Sequence, residues 1–126
     1  RVAYVEGACA IFTGAVEAFD QQTGCVKFTY FSAEKTLGAV KNLIPPHYGC
    51  VWGDDAHLAF TSTFSNDAAY CQLALDCDRR ILEEGVGDDQ MGAFNFLQEA
   101  HKWRNLRIRF REFMPVGVRP ILVPVT

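Results

Sequence analysis

No apolar run in this chain approaches the roughly 18 residues needed to cross a bilayer as a helix. Its five cysteines are odd in number, and none are spaced C-x-x-C. Such a set reads as free, mostly buried thiols in a reducing compartment, not as a disulfide or zinc framework. G-x-S-x-G is absent, so there is no nucleophile elbow. There is no Walker lysine and no G-x-G-x-x-G. Two glycines do precede Asp88 and Asp89 in GVGDDQMG, but those carboxylates occupy the helix start and repel phosphate. Nothing in the sequence calls for a cofactor or a metal. No signal peptide is visible, and the first residue is Arg1 instead of Met. The chain therefore reads as a processed product or a fragment, intracellular, with an organelle compatible with its start.

What is present suits a globular domain. The chain has 126 residues, 49% hydrophobic and 21% charged, enough apolar material for a packed core and a single domain over 1–126. Charge is unevenly spread. Residues 1–100 carry six Lys/Arg against fourteen Asp/Glu, a net −8. Residues 101–126 carry six Lys/Arg against Glu112 alone, a net +5. An acidic body with a basic end points towards a docking role.

Local patterns predict strands, then two helices, then strands. GAVEAF, DQQTG and CVKFTYF read as a hairpin, with Gly24 taking a positive φ. Val26, Phe28 and Tyr30 then share one face. Ser32, Lys35 and Leu37 suggest a short helical turn that Pro45-Pro46 ends. Tyr48–Trp52 and His57–Phe64 read as a second hairpin about a Gly-Asp turn. Tyr70, Leu73, Ala74, Cys77 and Ile81 recur at helical spacing, which predicts a helix over 66–84. Asp88 or Asp89 caps a second helix over 90–105. The alternation in RNLRIRFREF predicts a strand with Leu106, Ile108 and Phe110 on one side and Arg107, Arg109 and Arg111 on the other. No internal repeat or linker is evident. The expected fold is α+β: a mostly antiparallel curved sheet of about five to six strands, with two helices on one face.

Three groups of residues are candidates for function. Lys102, Arg104, Arg107, Arg109 and Arg111 form a basic strand face suited to an acidic partner. Ile121, Leu122 and Val123 lie in a proline-flanked apolar tail over 115–126, which suits an arm onto a neighbouring subunit. His47, Asp54 and His57 cluster around PPHYGCVWGDDAH, where a His beside an Asp suits general base and orienter; turn chemistry explains the aspartates equally well. The expectation is a non-enzymatic binding or assembly subunit, with a protein partner or a homo-oligomer and no membrane span. One alternative is a small α+β-barrel-like enzyme or ligand-binding protein with an apolar pocket near His47, Asp54 and His57. Another is single-stranded nucleic-acid binding through Arg107, Arg109 and Arg111. The acidic body and the placement of Phe110 behind the arginines both count against that last reading.

Overall fold

A computed structural model describes residues 1–32 and 43–123. The chain forms six two-residue strands: β1 (Gly7–Ala8), β2 (Ile11–Phe12), β3 (Val26–Lys27), β4 (Tyr30–Phe31), β5 (His47–Tyr48) and β6 (Val51–Trp52). They make two three-stranded sheets, ordered β1-β3-β5 and β2-β4-β6, and every ladder is parallel. This overturns the antiparallel curved sheet of five to six strands. The first predicted hairpin fails because after its turn the chain does not reverse onto 14–19 but advances, and 26–31 lies parallel on 7–12. The second fails because 59–62 pairs with 70–74 instead of with β6.

The register reveals a repeat that inspection of the letters misses. Gly7 pairs with Val26, 19 residues on, and Val26 with His47, 21 residues on. Ile11, Tyr30 and Val51 are spaced identically. A third, thinner side comes from single parallel bridges, Val2 to Ala18 and Glu17 to Leu43. The first half is thus a short solenoid of three stacked coils, close to the minimum at which stacked repeats bury a continuous core. The DQQTG turn is a corner of this solenoid. Asp20 Oδ1 accepts from the N–H groups of Gln22 (2.8 Å) and Thr23 (3.1 Å); the Thr23 side chain, aided by these amides, holds the Asp20 carboxyl below its usual range. Gly24 does take a positive φ of 94°, and a side chain there would strike the Val5 carbonyl on the adjoining coil.

Successive residues on a strand point to opposite faces, and each face has its own core. Inside the coils Phe12, Phe31 and Trp52 stack, with ring centroids 5.3 and 5.0 Å apart. That matches the strand spacing of about 4.8 Å. Phe31 and Val26 are buried there. Outside, Tyr30 and Val51 pack with Ala56, Ile81 and Met91, flanked by Ile11, Phe28, Leu58 and Leu73. The C-terminal half therefore lies along one side of the solenoid and seals it.

That half differs from the predicted helix pair. Residues 59–62 run beside 70–74, with Thr61 N–H on the Gln72 carbonyl (2.8 Å) and Ala74 N–H on the Ala59 carbonyl (3.0 Å). Cys71 has φ 60°, a conformation that breaks a helix. Only α1 (Arg79–Glu83) remains of the helix predicted over 66–84. A 3-10 turn at Asn95–Leu97 leads into α2 (Glu99–Phe113). The turn expected at Lys35 and Leu37 lies outside the described residues. No helix among the described residues is long and apolar enough to cross a membrane.

Candidate interaction surface

The RNLRIRFREF segment is helical, not extended. Two periods overlap in it. Leu106 and Phe110 belong to the alternating set, but also to Trp103, Leu106, Phe110 and Phe113, spaced three, four and three. The helix already running from Glu99 decides between them, because extending a helix costs far less than starting a new element. Glu99 in the first turn and Arg111 in the last both complement the helix dipole. Met114 is extended and Pro115 follows, which ends the helix.

Helicity redistributes the predicted basic face. Arg104, Arg107 and Arg111, three and four residues apart, share one side. Lys102 and Arg109, seven apart, lie on another. Arg109 pairs with Glu112 at 3.5 Å. Arg104, Arg107 and Arg111 form no ion pair among the described residues. Arg119 of the tail forms none there either, and it comes back beside them. Together with Ile108 and Pro120 these four arginines line a cleft of about 330 Å³.

Among the described residues, the hydrogen bonds that tie α2 to the rest of the chain lie at its start. Asp89 is buried at 2% exposure, and its Oδ1 accepts from Ala100 N–H (3.2 Å) and Gln90 N–H (2.7 Å). Asp89 is not, as was expected of it, the N-cap of a helix beginning at Gln90: α2 begins at Glu99 with Gln98 in the cap position, and Asp89 reaches its first turn from a loop ten residues upstream. Its Oδ2 has no hydrogen-bond partner among the described residues. His101 Nε2 lies 2.7 Å from the Gly87 carbonyl. From Arg104 to Phe113 every residue is exposed, including Leu106 at 42%, Phe110 at 41% and Phe113 at 78%. The tail continues this surface with exposed Val116, Val118, Ile121 and Val123, while Leu122 is half-buried. The tail residues Pro124, Val125 and Thr126 lie outside the described residues.

Of the three other candidates, Asp54 and His57 share one hollow and His47 lies apart from it. His47 sits in β5 with its ring edge-on to Trp52, centroids 5.5 Å apart. Asp54 and His57 border an open hollow with Asp55 and Tyr30. His57 faces Asp76 (3.8 Å), not Asp54, and both partners are mostly exposed. Asp55 is taken by Arg80, whose Nη1 is 3.0 Å from its carboxylate. No group of three or more metal-ligating side chains occurs among the described residues.

The apolar hollow lies elsewhere. A cavity of about 570 Å³ opens between the first coil and residues 60–71, bordered by Ile11, Phe60, Ser62, Tyr70, Cys9 and Cys71. The adjoining Cys71 thiol holds the Tyr70 phenol above its ordinary value. These residues are up to 62 positions apart (Cys9 to Cys71), so only the coil topology brings them together. Set against family models, curated proteins and solved structures, the chain matches none.

Proposed function

We propose that this chain is a non-enzymatic assembly subunit whose contact element is α2 with the tail over 115–123. One observation carries the reading: a fifteen-residue helix none of whose residues is buried, yet which holds Leu106, Phe110 and Phe113 in one apolar stripe. An isolated helix of this length is marginal in water. A contiguous apolar stripe rimmed by charge is what interaction surfaces present. The occupant that the charges favour is a second copy: the +5 end complements the −8 body of a neighbour. Parallel pairing of two α2 helices is opposed, because Arg107 and Arg111 flank the stripe and would repel their equivalents.

Size-exclusion chromatography with light scattering tests this. The chain is expected to self-associate, and Leu106→Ser with Phe110→Ser to run as a monomer with unchanged thermal stability of the solenoid. A wild-type monomer at every concentration would refute it.

A further inference from the structure

The loop before α2 is acidic and the helix beyond Arg104 is basic; Glu84 feels Arg79 of α1, while Asp88 and the four cleft arginines form no ion pair among the described residues. Near the N-terminal end of α2 lies the loop after α1. Glu84, Val86 and Asp88 are all exposed there, and Val86 is an apolar residue between two acids. Its neighbour Glu83 is already held by Arg79 at 2.7 Å. The loop is fixed to the helix start by His101 on the Gly87 carbonyl and by Asp89 on Ala100. Towards the C-terminal end lies the cleft of Arg104, Arg107, Arg111 and Arg119 with its apolar floor of Ile108 and Pro120. Helix rise places Arg111 roughly 15 Å beyond His101. The acidic loop is pinned to the start of the helix, and none of its residues lines the cleft.

We propose that the Glu84–Asp88 loop of one copy seats in the four-arginine cleft of the next. Glu84 and Asp88 meet guanidinium forks, which hold carboxylates in two-pronged pairs, and Val86 covers Ile108 and Pro120. The contact joins different surfaces of identical chains. It is therefore head-to-tail, and repeats into rings or open rows. This rests on the assembly reading, and names the surfaces that the apolar stripe leaves unassigned.

A charge swap tests it. Glu84→Arg/Asp88→Arg and Arg107→Glu/Arg111→Glu are each expected to weaken self-association about tenfold or more. Mixed together, the two variants are expected to form a heterodimer, since the first keeps the native cleft and the second the native loop that fits it. Arg109→Gln removes one positive charge outside the cleft and is expected to change association little. Raising salt from about 0.1 M to about 1 M shortens screening from about 10 Å to about 3 Å, and is expected to dissociate the mixture. Variants that stay monomeric on mixing overturn the proposal. So does an Arg109→Gln loss equal to that of Arg107→Gln, which would reduce the effect to net charge. Association that needs Leu106 and Phe110 but ignores both swaps overturns this contact and leaves the assembly reading standing. If instead a single-stranded oligonucleotide binds the wild type but not Arg107→Glu/Arg111→Glu, and the swap fails, the cleft serves nucleic acid and the proposal falls.

Discussion

Gly49 shows how a single position closes a coil. Each coil turns between its two strands through one left-handed residue: Cys9 at φ 56°, Phe28 at 47° and Gly49 at 62°. Cys9 and Phe28 hold this conformation although side chains disfavour it. Gly49 has a second constraint, because an added Cβ would lie 2.7 Å from the Phe28 ring on the coil beside it. Gly49→Ala is therefore expected to cost about 1–3 kcal/mol, the usual range for stored backbone strain. Gly7→Ala meets nothing within 4 Å and serves as its control. Urea unfolding followed by tryptophan fluorescence measures both, and equal midpoints would refute the account. The same three positions explain why the repeat escapes the eye. Its marker residue is Cys in one coil, Phe in the next and Gly in the third. The 19- and 21-residue periods also differ, so no letter recurs at a fixed interval. What was legible was the apolar content of GACAIF, VKFTYF and HYGCVW, not their parallel stacking.

α1 is short, and one arginine ties it to the solenoid. Asp78 caps it by accepting from Arg80 N–H at 2.9 Å. The Arg80 guanidinium donates to Asp78 (3.1 and 3.0 Å) and also reaches the Asp55 carboxylate and carbonyl in the turn after β6. The guanidinium, aided by the capping N–H, holds the Asp78 carboxyl below its ordinary range. A lowered pKa in the folded state stabilises above the unfolded value, near 3.9. That stabilisation is lost as pH falls through the folded value. Asp78→Asn keeps the cap and loses the ion pair. Wild type is expected to be the more stable near neutral pH and to converge with Asp78→Asn well below about pH 3.9. A gap that persists in acid would mean the pair contributes nothing through charge. Asp78→Ala loses the cap as well, typically about 1 kcal/mol. The sequence places the buried positions better than the element that carries them. Cys77 and Ile81 of the predicted stripe are buried and Leu73 packs on the core, but the pairing of 59–62 with 70–74 removes the first turns of that helix. Propensity yields there to contacts made far along the chain.

The whole molecule divides into a sealed solenoid and a helix that leaves it. The amides of Phe28, Tyr30 and Val51 donate to carbonyls on adjoining coils, in ladders closed on one side by Ile81 and Met91. From Arg104 onward α2 has no buried residue to hold it. Segments without tertiary contacts open at almost no free-energy cost, whereas core ladders open only with global unfolding. In dilute monomer, hydrogen exchange at 104–113 is therefore expected to outpace that at 28, 30 and 51 by several orders of magnitude. Raising the concentration until the chain associates is expected to slow exchange along 104–113 and to leave the ladder amides unchanged. Equal protection in the monomer would show that α2 needs no partner, and would remove the main support for the assembly reading. Slow exchange in the associated state but with 104–113 still fast would place the contact elsewhere on the molecule. The charge split was the sequence feature closest to this surface: it set a +5 end against a −8 body. The alternation of RNLRIRFREF then gave the wrong geometry, because only the turn of a helix brings Arg104, Arg107 and Arg111 to one side and sends Arg109 to Glu112.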